Sequence, residues 1–187
     1  MIEPTYFNNQ FLIAMPGLAD PNFHQTVTYI CEHDEGGAMG IVINRPLNLT
    51  LDELLKHLQI PIEQPDAATI PLYSGGPVQQ EQGFVLHTPI GNWDSTLQIT
   101  DAIAITTSRD ILQALARHEG PDRVLIALGY AGWGPGQLER EMIANAWLSG
   151  PADPDILFNV AINERWAAAA ALLGVDLRLL SGDTGHA

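Results

Sequence analysis

Residues 27–44 read VTYICEHDEGGAMGIVIN: two runs of β-branched and apolar residues, Val27 to Cys31 and Met39 to Asn44, stand either side of the polar, glycine-containing stretch from Glu32 to Ala38. Val, Ile and Tyr suit the pleated, half-buried surface of a strand, and a short polar connection between two such runs predicts an antiparallel hairpin. Arg45-Pro46 closes the second run, because proline lacks the N–H that a ladder requires.

Working outward, Phe11 to Ala14 is a further strand-like run, stopped by Pro16-Gly17. Downstream, Thr50 precedes Leu51, Leu54, Leu55 and Leu58 at helical spacing, and Glu53 sits where a capping box would place it. Ile60 to Pro71, with three prolines, reads as a loop. Phe84 to His87 and Leu97 to Thr106 read as strands joined by a turn around Ile90 to Ser95. Thr107 or Ser108 then caps a helix carrying Ile111, Leu112, Leu115 and Ala116, which Gly120-Pro121 stops. Val124 to Leu128 is apolar throughout, the pattern of a central strand covered on both faces. Leu138, Met142, Ala146 and Trp147 predict a helix ended by Gly150-Pro151, and another is expected from about Asn163 to Leu173 with Gly174 as its C-cap. Asp176 to Leu180 is expected to return as a strand, and the tail from about residue 181 to fray. Strands and helices do not alternate regularly, so the expected class is α+β, with a mostly antiparallel or mixed sheet, in a single domain spanning 1–187.

Charge narrows the function classes. The 22 acids outnumber the 8 lysines and arginines, giving a net charge of −14, and Lys56 is the only lysine. Affinity for nucleic acid depends on cations that displace counterions from phosphates, and here Arg45, Lys56, Arg109, Arg117, Arg123, Arg140, Arg165 and Arg178 are scattered singly. Direct binding to nucleic acid is therefore not expected. No run approaches the ~18 apolar residues of a membrane span, and the first ten residues lack a basic, apolar leader. The lone Cys31 suits a reducing compartment, so the expected location is the cytoplasm.

Catalytic signatures are weak. Gly75-Gly76-Pro77 lacks the lysine and hydroxyl of a P-loop and reads as a tight turn with positive φ at glycine. The stretch 129–137, GYAGWGPGQ, is dense enough in glycine either to pack backbone around a buried Trp133 or to present helix N–H groups to an anion. His33 lies among Glu32, Asp34 and Glu35 without the second cysteine or nearby histidine of a metal site. Cys31, at the end of an apolar run, reads as a small buried hydrophobe. No nucleophile elbow is present. No catalytic residue, metal or cofactor is assigned.

Five segments carry a resemblance. FLIAMPGLADPNFHQTV from residue 11, YICEHDEGGAMGIVINRP from residue 29, SGGPVQQEQGFVLHT from residue 74, GYAGWGPGQLEREMIANAWL from residue 129, and ILF with Arg165-Trp166 before LLGVD occur in that order. Together they resemble the AlgH/YqgE family. The resemblance implies an α+β fold built on a bent antiparallel sheet with flanking helices, and a regulatory association without a mechanism. It supplies no catalytic residues. Among the motif positions, His33, Asn44, Arg45, His87 and Gln137 sit at the ends of expected elements, where side chains commonly converge on one rim, and are the candidate ligand-binding residues.

The leading expectation is a non-enzymatic regulatory or binding protein acting through an unidentified protein partner or small ligand. The alternatives are an enzyme using a cluster of His33, Asn44, Arg45 and His87, and a transcriptional regulator. The oligomeric state has no signature.

Overall fold

A computed structural model of the chain describes residues 6–65 and 69–180. The expected fraying tail lies outside them. The sheet has ten strands: β1 (Gln10–Ala14), β2 (Val27–Asp34), β3 (Gly37–Val42), β4 (Pro46–Thr50), β5 (Pro71–Ser74), β6 (Val78–Thr88), β7 (Thr96–Gln98), β8 (Ala104–Thr106), β9 (Arg123–Trp133) and β10 (Trp147–Pro151). Every pairing is antiparallel except β5 with β9, so the class is α+β with a curled, mostly antiparallel sheet. The expected hairpin is β2–β3, paired from Thr28 opposite Val42 to Asp34 opposite Gly37 with a one-residue register shift between Ile30 and Glu32.

The apolar run at Val124 is the middle of β9, the hub of the sheet. One edge of β9 is shared: β5 pairs with residues 126–128 and β3 with residues 131–133. β6 runs along the other edge as far as Tyr130. Its alternating side chains feed two cores, as expected of a strand covered on both faces. Leu125 and Ala127 face a core completed by α4 (Pro154–Phe158), α5 (Arg165–Ala171) and α6 (Leu177–Leu180). Ile126 faces a second core, closed by α1 (Leu51–His57) and α2 (Arg109–Ala116). Leu12, Ile30, Trp133 and Trp147 form a third with Leu138 of α3 (Gln137–Ile143).

Because β5 and β6 lie on opposite edges of β9, the link between them has to cross that strand's backbone. Gly75-Gly76-Pro77 is that crossing and not the expected tight turn. A Cβ on Gly76 would stand 2.1 Å from the Tyr130 carbonyl carbon, and one on Gly129 would stand 2.5 Å from the Gly76 carbonyl oxygen. Both glycines hold positive φ, +152° and +81°. Gly129 also reverses the face of β9, so that Tyr130 joins Ala127 in the first core.

Four expectations need correction. The helix from Leu138 stops at Ile143; Asn145 adopts φ +60°, and Trp147–Pro151 leaves as β10 to pair with β1. The Leu97 to Thr106 run is two strands, β7 and β8, divided where the Thr100 hydroxyl accepts from the Ala102 and Ile103 N–H groups. Asp176 to Leu180 is helical from Leu177, which buries its side chain in the first core. Pro46, which ends β3's extension, begins β4, the strand position that tolerates proline. At α1 the Thr50 hydroxyl donates to Asp52 and does not cap the helix. Ser108 is the N-cap residue of α2, and Gly174 ends the α5 region at φ +73°.

Candidate functional site

The five candidate residues fall into three places. At the end of β3, the Asn44 side chain bridges two backbone groups, accepting from the Val27 N–H (2.9 Å) and donating to the Gln25 carbonyl (2.9 Å). Arg45 donates to the carbonyls of Pro21 (2.6 Å) and His24 (2.9 Å), clasping the loop that leads into β2. Arg165, buried on α5, donates to the carbonyls of Ile43 and Val160 and lies 5.2 Å from the centroid of the Tyr73 ring. Beside it the Trp166 indole donates to the Ala14 carbonyl (3.0 Å). The cations here satisfy loop carbonyls and, at Ile43, the carbonyl just past β3.

The second place is α3. His33 is buried and stacks on Phe7. Its Nδ1 accepts from the Phe7 N–H (2.9 Å), which leaves the ring proton on Nε2 to donate to Glu139 Oε1 (3.0 Å). Burial alone would raise the pKa of Glu139, but its backbone N–H, the His33 ring and Arg140 bring it below the ordinary carboxylate value. Two residues on, Glu141 Oε1 accepts from both the Trp133 indole (3.1 Å) and the Trp147 indole (3.0 Å), and its Oε2 accepts from Gln137 Nε2 (2.9 Å). Gln137 Oε1 in turn accepts from the Gly134 N–H (2.9 Å). Phe23 packs on both indoles. Trp133 is thus buried against α3, as the packing alternative for the glycine-rich stretch requires.

His87 forms the third place. It is fully buried between β6 and β8, its Nδ1–H donating to the Pro89 carbonyl (3.0 Å) and its Nε2 accepting from the Thr106 hydroxyl (2.7 Å), which accepts from Thr96 (2.8 Å). Burial pulls its pKa below the ordinary histidine value, partly offset by the Pro89 carbonyl.

These places do not converge. His87 lies opposite Val124 on β9, while Ala38, the cross-strand partner of His33, lies opposite Trp133. Nine residues of strand separate the two levels, roughly 30 Å. His33, Asn44, Arg45 and His87 therefore form no common cluster, and each has its polar atoms engaged within the fold. Cys31 is buried with its thiol pKa raised, first by burial and then by the charge of Glu32. Among the described residues no group of three or more His, Cys, Asp or Glu side chains is placed to hold a metal ion.

An open site lies elsewhere, around a feature the sequence analysis passed over. Val78 opposes Tyr130 and Gly83 opposes Leu128, so β6 spends the four residues 79–82 against the single Gly129. Gln79, Gln80, Glu81 and Gln82 consequently loop out of the sheet, all exposed, with Gln79 at φ +49°. On one side of this bulge is a groove of about 690 Å³. Its floor is Met39, Phe84 and Tyr130, the two rings edge to face at 5.6 Å. Its walls are Val78 and Gln79 of β6 and the tip of the β2–β3 hairpin, with Glu32 and Asp34 at the rim. On the other side, Gln80 and Glu81 border a second groove of about 670 Å³ floored by Leu54, Leu72 and Leu128. The signal for the bulge is the run QQEQ inside a strand that is otherwise apolar.

The AlgH-like family model matches residues 11–178 of this chain. The UPF0301 protein of Thioalkalivibrio sulfidiphilus is 62% identical over 187 residues, covering 100% of both chains, and that of Nitrosococcus oceani is 58% identical over 182 residues, covering 97% of each. The solution structure of the AlgH protein from Pseudomonas aeruginosa, 53% identical, superposes with a TM-score of 0.82 over 100% of this chain and 99% of that one. A Corynebacterium diphtheriae protein at 20% identity shares the fold, with a TM-score of 0.73 over 97% of this chain and 94% of its own.

Proposed function

This chain belongs to the AlgH-like family, and on that premise we propose that it is a non-enzymatic binding protein of the cytoplasm, with a regulatory role exerted through a protein partner at the groove beside the 79–82 bulge. The observation that carries the proposal is the contrast between two kinds of polar residue. Those buried or half-buried at motif positions, His33, Asn44, Arg45 and His87, are committed to backbone or to one another's neighbours. Those that line the apolar-floored groove, Glu32, Asp34 and Gln79, are exposed, and Asp34 also accepts from the Gly36 N–H of its own hairpin turn. Bulges that re-aim side chains occur where a strand serves a purpose beyond pairing. A partner, and not a nucleic acid, is favoured by the −14 net charge and by the use of Arg45, Arg109 and Arg165 to hold backbone carbonyls.

The test is co-purification of the native chain with its partner, read by mass spectrometry. The comparison variants are Glu32→Arg with Gln79→Arg, which fills the groove rim, and Glu119→Arg, in the turn beyond α2. A protein retained by the native chain and by Glu119→Arg, and lost from the groove variant, is the expected result. Retention by all three would refute the groove assignment.

A further inference from the structure

We infer that the occupant of this groove is an extended peptide segment carrying an arginine or lysine beside apolar side chains. The inference rests on the groove assignment made above and adds the chemistry of what fills it.

The backbone comes first. β6 accompanies β9 only up to the pair Val78–Tyr130, because the preceding residues turn away across β9 to reach β5, and Pro77 has no N–H to offer a ladder. Beyond Tyr130, β9 continues through Gly132 to Trp133 with β3 on one edge and, among the described residues, no strand on the other. Gly132 is exposed there and carries no side chain to obstruct an approach. An unpaired strand edge inside a groove is a template for one more strand, with main-chain hydrogen bonds giving affinity and alternate side-chain pockets giving selectivity. A peptide laid along it would continue the line of β6 and place every second side chain over Met39, Phe84 and Tyr130.

Charge identifies the rest. Glu32 and Asp34 stand at the rim, and no lysine or arginine lines the groove. Neither rim carboxylate is paired with a lysine or arginine among the described residues, whose salt bridges include His33–Glu139 and Arg117–Glu119. An acidic segment would meet two like charges on a chain of net charge −14, whereas a basic side chain gains both carboxylates and the face of Tyr130.

The experiment titrates the full chain with fluorescein-labelled Ser-Leu-Ser-Arg-Ser-Leu-Ser, which puts its leucines and arginine on one face of an extended strand, and with the same peptide carrying Gln or Glu at the Arg position. Binding is read by anisotropy and located by amide shifts of the isotope-labelled protein. The Arg peptide is expected to bind, to move the Gly37 and Gly132 amides, and to weaken as salt rises. Glu32→Gln with Asp34→Asn, which preserves the Asp34 turn acceptor, is expected to weaken it about three- to tenfold, because each exposed pair contributes little. The Glu peptide is expected not to bind. Equal binding of the Gln and Arg peptides at the groove would overturn the cationic occupant and leave the groove assignment standing. No binding of the Arg peptide at millimolar concentration would overturn the inference alone, if the co-purified partner is still lost from the groove variant. Shifts confined to another surface would overturn both.

Discussion

Replacing Glu141 by methionine keeps the length of the side chain and removes its oxygens, and the structure sets the size of the effect. One oxygen of Glu141 accepts from two indoles that are 6% and 4% exposed, so neither N–H finds water when the carboxylate is lost. Leaving a buried donor unsatisfied costs about 1–3 kcal/mol. Two of them give about 2–6 kcal/mol, and the partly exposed Gln137 bond adds little because water can replace it. For a chain of this size each kcal/mol moves Tm by about 2–4 °C, so Glu141→Met is expected to melt roughly 4–24 °C below the parent. Glu141→Gln keeps one carbonyl oxygen for the indoles and is expected to lose less than half as much. Urea unfolding followed by tryptophan fluorescence and calorimetry measures both. A Glu141→Met variant melting within about 2 °C of the parent, or a Gln variant falling as far as the Met one, would refute the account of α3 as a helix held by its carboxylates.

Three other outcomes are expected. His87 has a depressed pKa in the folded state, so its stabilising contribution is complete above about pH 6.5 and is lost as pH falls from there through the folded value; the urea midpoint of the parent should drop between pH 6.5 and 5 more steeply than that of His87→Gln, and parallel slopes would contradict this. Cys31, buried and with its pKa raised, should react with a thiol reagent only on unfolding, and rapid labelling of the folded chain at neutral pH would show otherwise. Mixed-sequence duplex DNA should not bind at ~150 mM salt in fluorescence anisotropy; sub-micromolar, salt-dependent binding would restore the transcription-regulator alternative.

Legibility in the sequence followed the range of the interactions involved. The β2–β3 hairpin, the central run of β9 and the amphipathic faces of α1 and α2 are local patterns, and all were readable. β10 was not. Its Trp147 and Leu148 extend a helical spacing from Leu138, and only the left-handed Asn145 and pairing with β1, more than a hundred residues away, turn them into a strand. The same holds for Gly75 and Gly76, whose motif looked like a turn because nothing nearby in the chain reveals that β9 passes beneath. That the candidate residues lie apart was hidden for a related reason. Polar residues at the ends of elements were expected on one rim, yet Asn44, Arg45 and Arg165 are occupied by backbone groups of the fold, and the groove is bordered by Gln79 of the 79–82 bulge, whose looping-out depends on the register with β9.

The most direct test of the central claim is photocrosslinking in growing cells from a photoreactive residue placed at Gln79, with the same residue at Glu119 as control, followed by digestion and mass spectrometry of the adducts. The groove account predicts a discrete adduct from position 79 and none from position 119, the captured segment being basic with flanking apolar residues. Identical adducts from both positions, or none from position 79 in cells where the native chain co-purifies with a partner, would contradict it.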